Sequence, residues 1–402
     1  MSTLFVSHSV GDSAALIATA KSFIKKNSEH KIIVLAIGNA AEKKWNEALL
    51  SNAELKNSVF IKTLDSSLKN KAETTSLEAD EFKTFQTAVL DPIIQEEKIE
   101  NVLIGTPSQN KAGLAFQIAE YLSHHFKNDH LFIYNDYLFK ENDHCYWETL
   151  ERTKKWSQNV THLVPLPKTR KVIHAINPSL QVEVVGHPSI DTSLSRGEVN
   201  KAHVQESLAI KGSQSLLFIS GSKDLAKDKA LLEALFQALE KDPNPELELR
   251  LGVHPGITDP NNYITGILNL IAQFPSINQH IKLFVKPSLI TQLSLTHSNE
   301  KYILSSLFNS DDVAHIADGV ASTPPSTLFT VAALQGKPAY YHEADKRSYL
   351  PSTSFLSGRD ELPLFFTTMQ KNRVRQPMSQ TELGLSEKPF SEQMAEQFTF
   401  KN

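Results

Sequence analysis

The chain has a single cysteine, Cys145, in 402 residues. That excludes an internal disulfide and a cysteine-based zinc site, and it is consistent with a reducing compartment. Charge of one sign is also lacking. Charged residues make up 21% and the net charge is -4, so no basic field exists to hold nucleic acid, and a neutral or anionic small molecule is the expected partner. No segment approaches the roughly 18 consecutive apolar residues of a membrane span, which leaves only peripheral contact of an amphipathic surface with a bilayer. The opening residues, MSTLFVSHSVGDSA, have no basic start and only a short apolar run. They read as a first strand rather than a secretion signal, and the expected location is cytoplasmic. The fingerprints GxGxxG, GxxxxGK[ST] and GxSxG are absent, which argues against a nicotinamide dehydrogenase, a P-loop NTPase and a nucleophile elbow.

What is present is an alternation of short apolar runs with helical periodicity. Residues 3–7, 31–37, 59–63, 101–105, 130–134, 160–164 and 182–185 read as strands, separated by amphipathic helices such as 13–24, 41–50, 111–126 and 168–176. The polar run 64–80 lacks a core stripe and reads as a mobile excursion suited to a lid, and Pro92 should kink or split the helix 82–97. Residues 135–156 concentrate aromatic and charged side chains, among them Asp136, Tyr137, Cys145, Tyr146, Trp147 and Glu148, where active-site insertions usually lie. At Gly186 the character changes and a linker follows. A second alternation then begins, with strands at 215–220, 247–253, 281–285, 302–305, 319–322 and 338–341. The expectation is an α/β protein of two Rossmann-like domains facing across a cleft: 1–190, 200–345, and a terminal segment 346–402 with one helix and a polar tail. The tail is either disordered or crosses back over the first domain.

The candidate residues all fall at strand ends. In the second half these are Gly221, Ser222 and Lys223, then His254 and Gly256, then Ser322, Thr323, Ser326 and Thr327. Glycine lets a backbone approach a pyrophosphate closely, Lys223 could neutralise it, and helix N-termini add their dipoles. Taken singly, each such loop is equally a tight turn with an ordinary cap. In the first half, His8 and Asp12 flank Gly11 and could both serve as a base toward an acceptor hydroxyl, with Asp12 alternatively an N-cap. His187 and His254 sit in proline-containing loops and are the histidines best placed for chemistry. His124 and His125, beside His130, point to different faces of one helix with no carboxylate at ligand spacing, so no metal site is expected.

Several of these segments carry a family resemblance. Val185-Gly186-His187-Pro188 with Asp191, and the opening Gly11-Asp12-Ser13-Ala14-Ala15, resemble lipid A disaccharide synthase, where the first-loop aspartate is implicated in catalysis. Val253-His254-Pro255, then Ser326-Thr327 and Gly336-Lys337-Pro338, resemble UDP-N-acetylglucosamine 2-epimerases. Both belong to the GT-B class of nucleotide-sugar enzymes. The resemblance implies a donor nucleotide diphosphate sugar held mainly by the C-terminal domain, an acceptor (glycan, lipid or protein) held mainly by the N-terminal one, and no cofactor or metal. It implies a glycosyltransferase first, a 2-epimerase as the competing enzyme, and a non-catalytic nucleotide-sugar binder as the third reading. The chain departs from the pattern at Val331, where the family has a glutamate that grips the donor ribose, at Val10, and in the turn Ser322-Thr323-Pro324-Pro325.

Overall fold

The computed structural model describes residues 2–72, 76–106, 113–127, 129–135, 158–194, 201–210, 214–254, 256–294, 297–305, 308–323, 326–342, 355–370, 380–381 and 385–398. The polar loop at 107–110, the aromatic segment from Asp136 to Trp156, Arg196-Gly197, Pro255 and Pro324-Pro325 lie outside the described residues. The chain divides into two compact units: residues 1–192 with 380–402, and residues 193–379. The terminal segment 346–402 is thereby shared between the two units rather than forming a third.

Unit 1 contains β1 (Ser2–Ser7), β2 (Lys31–Ala36), β3 (Val59–Thr63), β4 (Ile99–Thr106), β5 (Leu131–Asn135), β6 (Thr161–Val164) and β7 (Gln181–Val184). Unit 2 contains β8 (Ser215–Ser220), β9 (Leu247–Gly252), β10 (Ile281–Val285), β11 (Ile303–Ser305), β12 (Gly319–Ser322), β13 (Ala339–Tyr341) and β14 (Leu356–Ser357). The helices that bear on the sites are α1 (Val10–Lys26), α2 (Gly113–Leu122), α3 (Leu225–Lys241), α4 (Pro260–Ile271), α5 (Ser310–Ile316), α6 (Thr327–Leu334), α7 (Leu362–Gln370) and α8 (Phe390–Glu396).

Each unit has one seven-stranded sheet, ordered β3-β2-β1-β4-β5-β6-β7 and β11-β10-β9-β8-β12-β13-β14. All pairings are parallel, as between β1 and β4 or β8 and β12. A parallel sheet is covered on both faces, so its strands read as continuous apolar runs. In β1, Leu4 and Val6 enter one core with Ile33, Ile104 and Ile118, while Phe5 points to the opposite core with Trp45 and Phe132. In β8, Leu217 and Ile219 face one core, and Leu216 and Phe218 the other. Strand order reverses direction between β1 and β4, and again between β8 and β12. At such a switch point the loops diverge and leave room for a ligand at the strand C-termini.

The described parts of the run 64–80 are more ordered than its composition suggests. Ser66–Ala72 is helical, with Asp65 accepting from the Leu68 amide and Lys69 paired to Glu42. The proline expectation is met by a wide turn. Helix Ala79–Phe85 passes through a π-helical segment, Gln86–Leu90, into helix Asp91–Glu96, which accommodates Pro92 near its start.

The polar tail contains α8, which packs on unit 1. Met394, Ala395 and Phe398 complete the core around Phe5, Phe23 and Phe132, and the Phe132 and Phe398 rings stand edge to face at 4.9 Å. In unit 2, Arg250 is fully buried on β9, where its guanidinium donates to the Leu208 carbonyl at 3.0 Å and to Glu248 at 2.9 Å.

Candidate functional site

In unit 1 the loop after β1 is closed around Asp12. Ser9 is the N-cap of α1, and Asp12, at the third helical position, reaches back to it. One carboxylate oxygen accepts from the Ser9 amide at 2.6 Å and from the Ser9 hydroxyl. The other accepts from the His8 amide at 2.8 Å and the Ser7 hydroxyl at 3.3 Å. Asp12 is fully buried, and a Cβ added at Gly105, on neighbouring β4, would lie 2.6 Å from its side chain. His8 is half-buried and Val10 exposed. The aspartate therefore shapes the loop, and the imidazole of His8 is the more accessible group.

His187 stands elsewhere. It follows β7, four places along the sheet from β1, or roughly 19 Å at the usual strand spacing. Its Nδ1 is 2.7 Å from the Ser189 hydroxyl, and its ring lies edge-on to Tyr134. The motif that contains it has a structural basis. Gly186 has φ +76, in the left-handed region, and a Cβ there would lie 2.2 Å from the Phe390 ring. Asp191 accepts from the amides of Phe390 at 2.9 Å and Ser391 at 2.6 Å, capping α8. Burial raises the Asp191 carboxyl above its ordinary value, against the lowering effect of those bonds. Gly186 and Asp191 thus dock the chain's last helix.

In unit 2 the structure brings the predicted residues together. β9, β8 and β12 are adjacent. His254 and Gly256 follow β9, and Gly221, Ser222 and Lys223 follow β8. Ser322 ends β12, Thr323 follows it, and Ser326 caps α6, of which Thr327 is the first residue. Gly221 donates to the Gly252 carbonyl at 3.0 Å, and a Cβ on Gly221 would come within 2.4 Å of that oxygen. His254 Nδ1 accepts from the Gly256 amide at 2.9 Å. Burial, helped by Lys223, pulls the His254 pKa down to about 4. The ring is therefore neutral near pH 7, with Nε2–H as its donor. Lys223 is exposed, and its Cε is 2.9 Å from where a Gly256 Cβ would sit.

The hydroxyls have different roles. Ser326 Oγ accepts from the Phe329 amide at 3.1 Å as an N-cap. Ser222 and Thr323 are tied to a residue the sequence did not single out, Asp228. This carboxylate is 1% exposed, and Oδ2 accepts from the Ser222 amide at 2.8 Å and Tyr263 OH at 2.6 Å. Oδ1 accepts from the Ser222 hydroxyl and the Thr323 hydroxyl, each at 3.0 Å. Burial and the Asp228 carboxylate hold the Tyr263 phenol protonated, far above its ordinary range. Ser322 Oγ is fully buried and has no hydrogen-bond partner among the described residues.

Helix α6 is apolar on nearly every side, with Phe329 to Leu334 all buried, Val331 at 6% exposure. Its end is fixed by Gly336 at φ +72, and Lys337 donates to the Ala314 carbonyl at 3.0 Å and to the His315 carbonyl at the end of α5. Among the described residues no group of three or more His, Cys, Asp or Glu could hold a metal ion, and no helix is long and apolar enough to cross a membrane.

No protein-family model matches the chain, and no curated protein matches it in sequence. Solved structures do match in fold. UDP-GlcNAc 2-epimerase from Methanocaldococcus jannaschii aligns with TM-score 0.60 at 12% identity, covering 98% of this chain and 99% of that one. The Neisseria meningitidis UDP-GlcNAc 2-epimerase, bound to UDP-GlcNAc, gives 0.58 at 12%, covering 98% and 97%. Anabaena HepE in complex with UDP-glucose gives 0.58 at 13%, covering 99% and 95%. The fold is the two-domain α/β GT-B fold that these proteins share.

Proposed function

We propose that the chain is a nucleotide-sugar enzyme whose unit 2 holds the donor at the C-terminal ends of β9, β8 and β12, and that it transfers the sugar to an acceptor without a metal. The observation that carries this reading is Ser322. Its buried hydroxyl has no partner among the described residues, which is costly, and it lies at a topological switch point beside the capped N-terminus of α6, where an anion is favoured. A phosphoryl group there would satisfy it, with Lys223 adding charge and His254 Nε2–H a neutral donor. Stabilising the leaving diphosphate in this way is electrostatic catalysis. In unit 1 the half-exposed His8 is the base, and Asp12 orients it through the loop amides. The single cysteine fits a reducing, cytoplasmic setting.

A 2-epimerase would use the same donor clamp for elimination and readdition of the nucleotide, and the fold is shared with both kinds of enzyme. Incubation with UDP-GlcNAc and UDP-glucose, following UDP release, separates the readings. Release only when an acceptor is present supports transfer, and inversion at C2 without acceptor supports epimerisation. Thermal stabilisation without turnover means a binding protein and defeats the enzyme reading.

A further inference from the structure

Asp228 lies in a helix whose sequence, LAKDKALLEALF, presents it as one charge among several. Yet it is buried, and its donors come from three separate places: the loop after β8, helix α4, and the residue after β12. Two of those places form the ligand loops.

A hydroxyl has one proton and two lone pairs. Ser222 gives its proton to Asp228 and accepts from the Asp224 amide at 3.0 Å, so it has no proton left for a ligand. Thr323 also gives its proton to Asp228 and keeps only lone pairs for anything outside. The Ser322 proton has no acceptor among the described residues. Phosphoryl oxygens accept hydrogen bonds and cannot donate them. Ser322 and the first amides of α6 can therefore serve a phosphoryl group, whereas Thr323 can serve only an O–H or N–H, such as a hydroxyl of the donor sugar.

Resting on the nucleotide-sugar reading above, we infer that Asp228 is the positioning residue of the donor site. One carboxylate sets the loops after β8 and β12 against each other and assigns the hydroxyls of Ser322 and Thr323 to different parts of the ligand. It touches no ligand atom itself.

The test is a double-mutant cycle on UDP affinity by calorimetry, using the full chain. Asp228→Asn keeps one acceptor oxygen for the Ser222 amide and Tyr263 and turns an N–H₂ toward the Ser222 and Thr323 hydroxyls, which must then accept instead of donate, so the junction is reset and the Thr323 proton is turned outward. UDP binding is expected to weaken about 10- to 100-fold, the cost of misplacing a site group by about an ångström. Ser322→Ala is expected to weaken it about tenfold, and the double variant by clearly less than the product, because the two act on one arrangement. Tyr263→Phe removes a donor to the same carboxylate from outside the ligand loops. It should lower the melting temperature while leaving UDP affinity within about twofold, whereas Thr323→Val should weaken UDP-GlcNAc more than UDP. If Asp228→Asn does not fold, Thr323→Val replaces it in the cycle. Unchanged affinity in Asp228→Asn, additive effects, or equal loss in Tyr263→Phe overturns the inference while the ligand reading stands. A wild-type protein that binds neither UDP nor UDP-GlcNAc overturns both.

Discussion

Each unit buries one carboxylate beneath the loop after its first strand, and the two are held differently. Among the described residues, Asp12 takes all its bonds from residues 7 to 9, within five positions along the chain. Asp228 reaches across 35 residues to Tyr263 and 95 to Thr323. The first is a local device that shapes one loop, and it would form wherever that short sequence begins a helix. The second is a tertiary junction that exists only when α4 and the end of β12 are in place. A loop that shapes itself can vary without disturbing its neighbours. A junction makes three segments answer to one residue.

The sharpest way to break this contrast is to remove both carboxylates in turn. Asp228→Ala leaves a buried phenol, an amide and the Thr323 hydroxyl without their acceptor, and is expected to lower unfolding free energy by about 3–4 kcal/mol. Asp12→Ala should cost about 2 kcal/mol, since the half-exposed residues 8 and 9 can turn their amides to water. Equal losses in urea titrations would mean the junction is no more than a cap.

Acid should weaken both units. His162 in unit 1 is fully buried, and burial lowers its pKa to about 4, as it does for His254 in unit 2. A lowered folded-state pKa means the stability is present above the unfolded value near 6.5 and lost as pH falls toward 4. For His162 the loss is on the order of 3 kcal/mol at most. His254→Gln should flatten the acid limb of unit 2 alone, and if the whole curve flattens the units do not titrate separately.

Gly186→Ala meets both a left-handed backbone and the Phe390 ring, and should cost about 2 kcal/mol, seen as earlier proteolysis near residue 390. Unchanged proteolysis would show that α8 does not depend on that turn. The smallest effect belongs to Lys223→Ala. An exposed lysine changes stability by less than about 0.5 kcal/mol, while UDP binding should weaken several-fold and become less salt-sensitive. Affinity unchanged at low salt would remove Lys223 from the site.

Much of the architecture was legible because its signals are local. The strand runs 215–220, 281–285 and 319–322 coincide with β8, β10 and β12, and the hydroxyl loops do gather on adjacent strands. Asp228 was not legible. A carboxylate near the start of a lysine-rich helix reads as surface charge, and only partners far along the chain reveal otherwise. Nor could spacing tell which hydroxyls are already occupied: Ser222, Ser322 and Thr323 look alike as residues, and they differ by where their protons go. β14, two residues long, escaped notice because a pattern of alternation needs more length than that.

The docking of α8 has a consequence for synthesis. Phe5, Phe23 and Phe132 are made early, but the core they form is closed by Met394 and Phe398. Residues 193–379 emerge in between and carry all of unit 2. At about 5–20 residues per second, the apolar face of unit 1 stays open on the ribosome for roughly 10 to 40 s. The unit begun first is finished last, and during that interval the nascent chain offers a holding chaperone a surface that the released protein has covered.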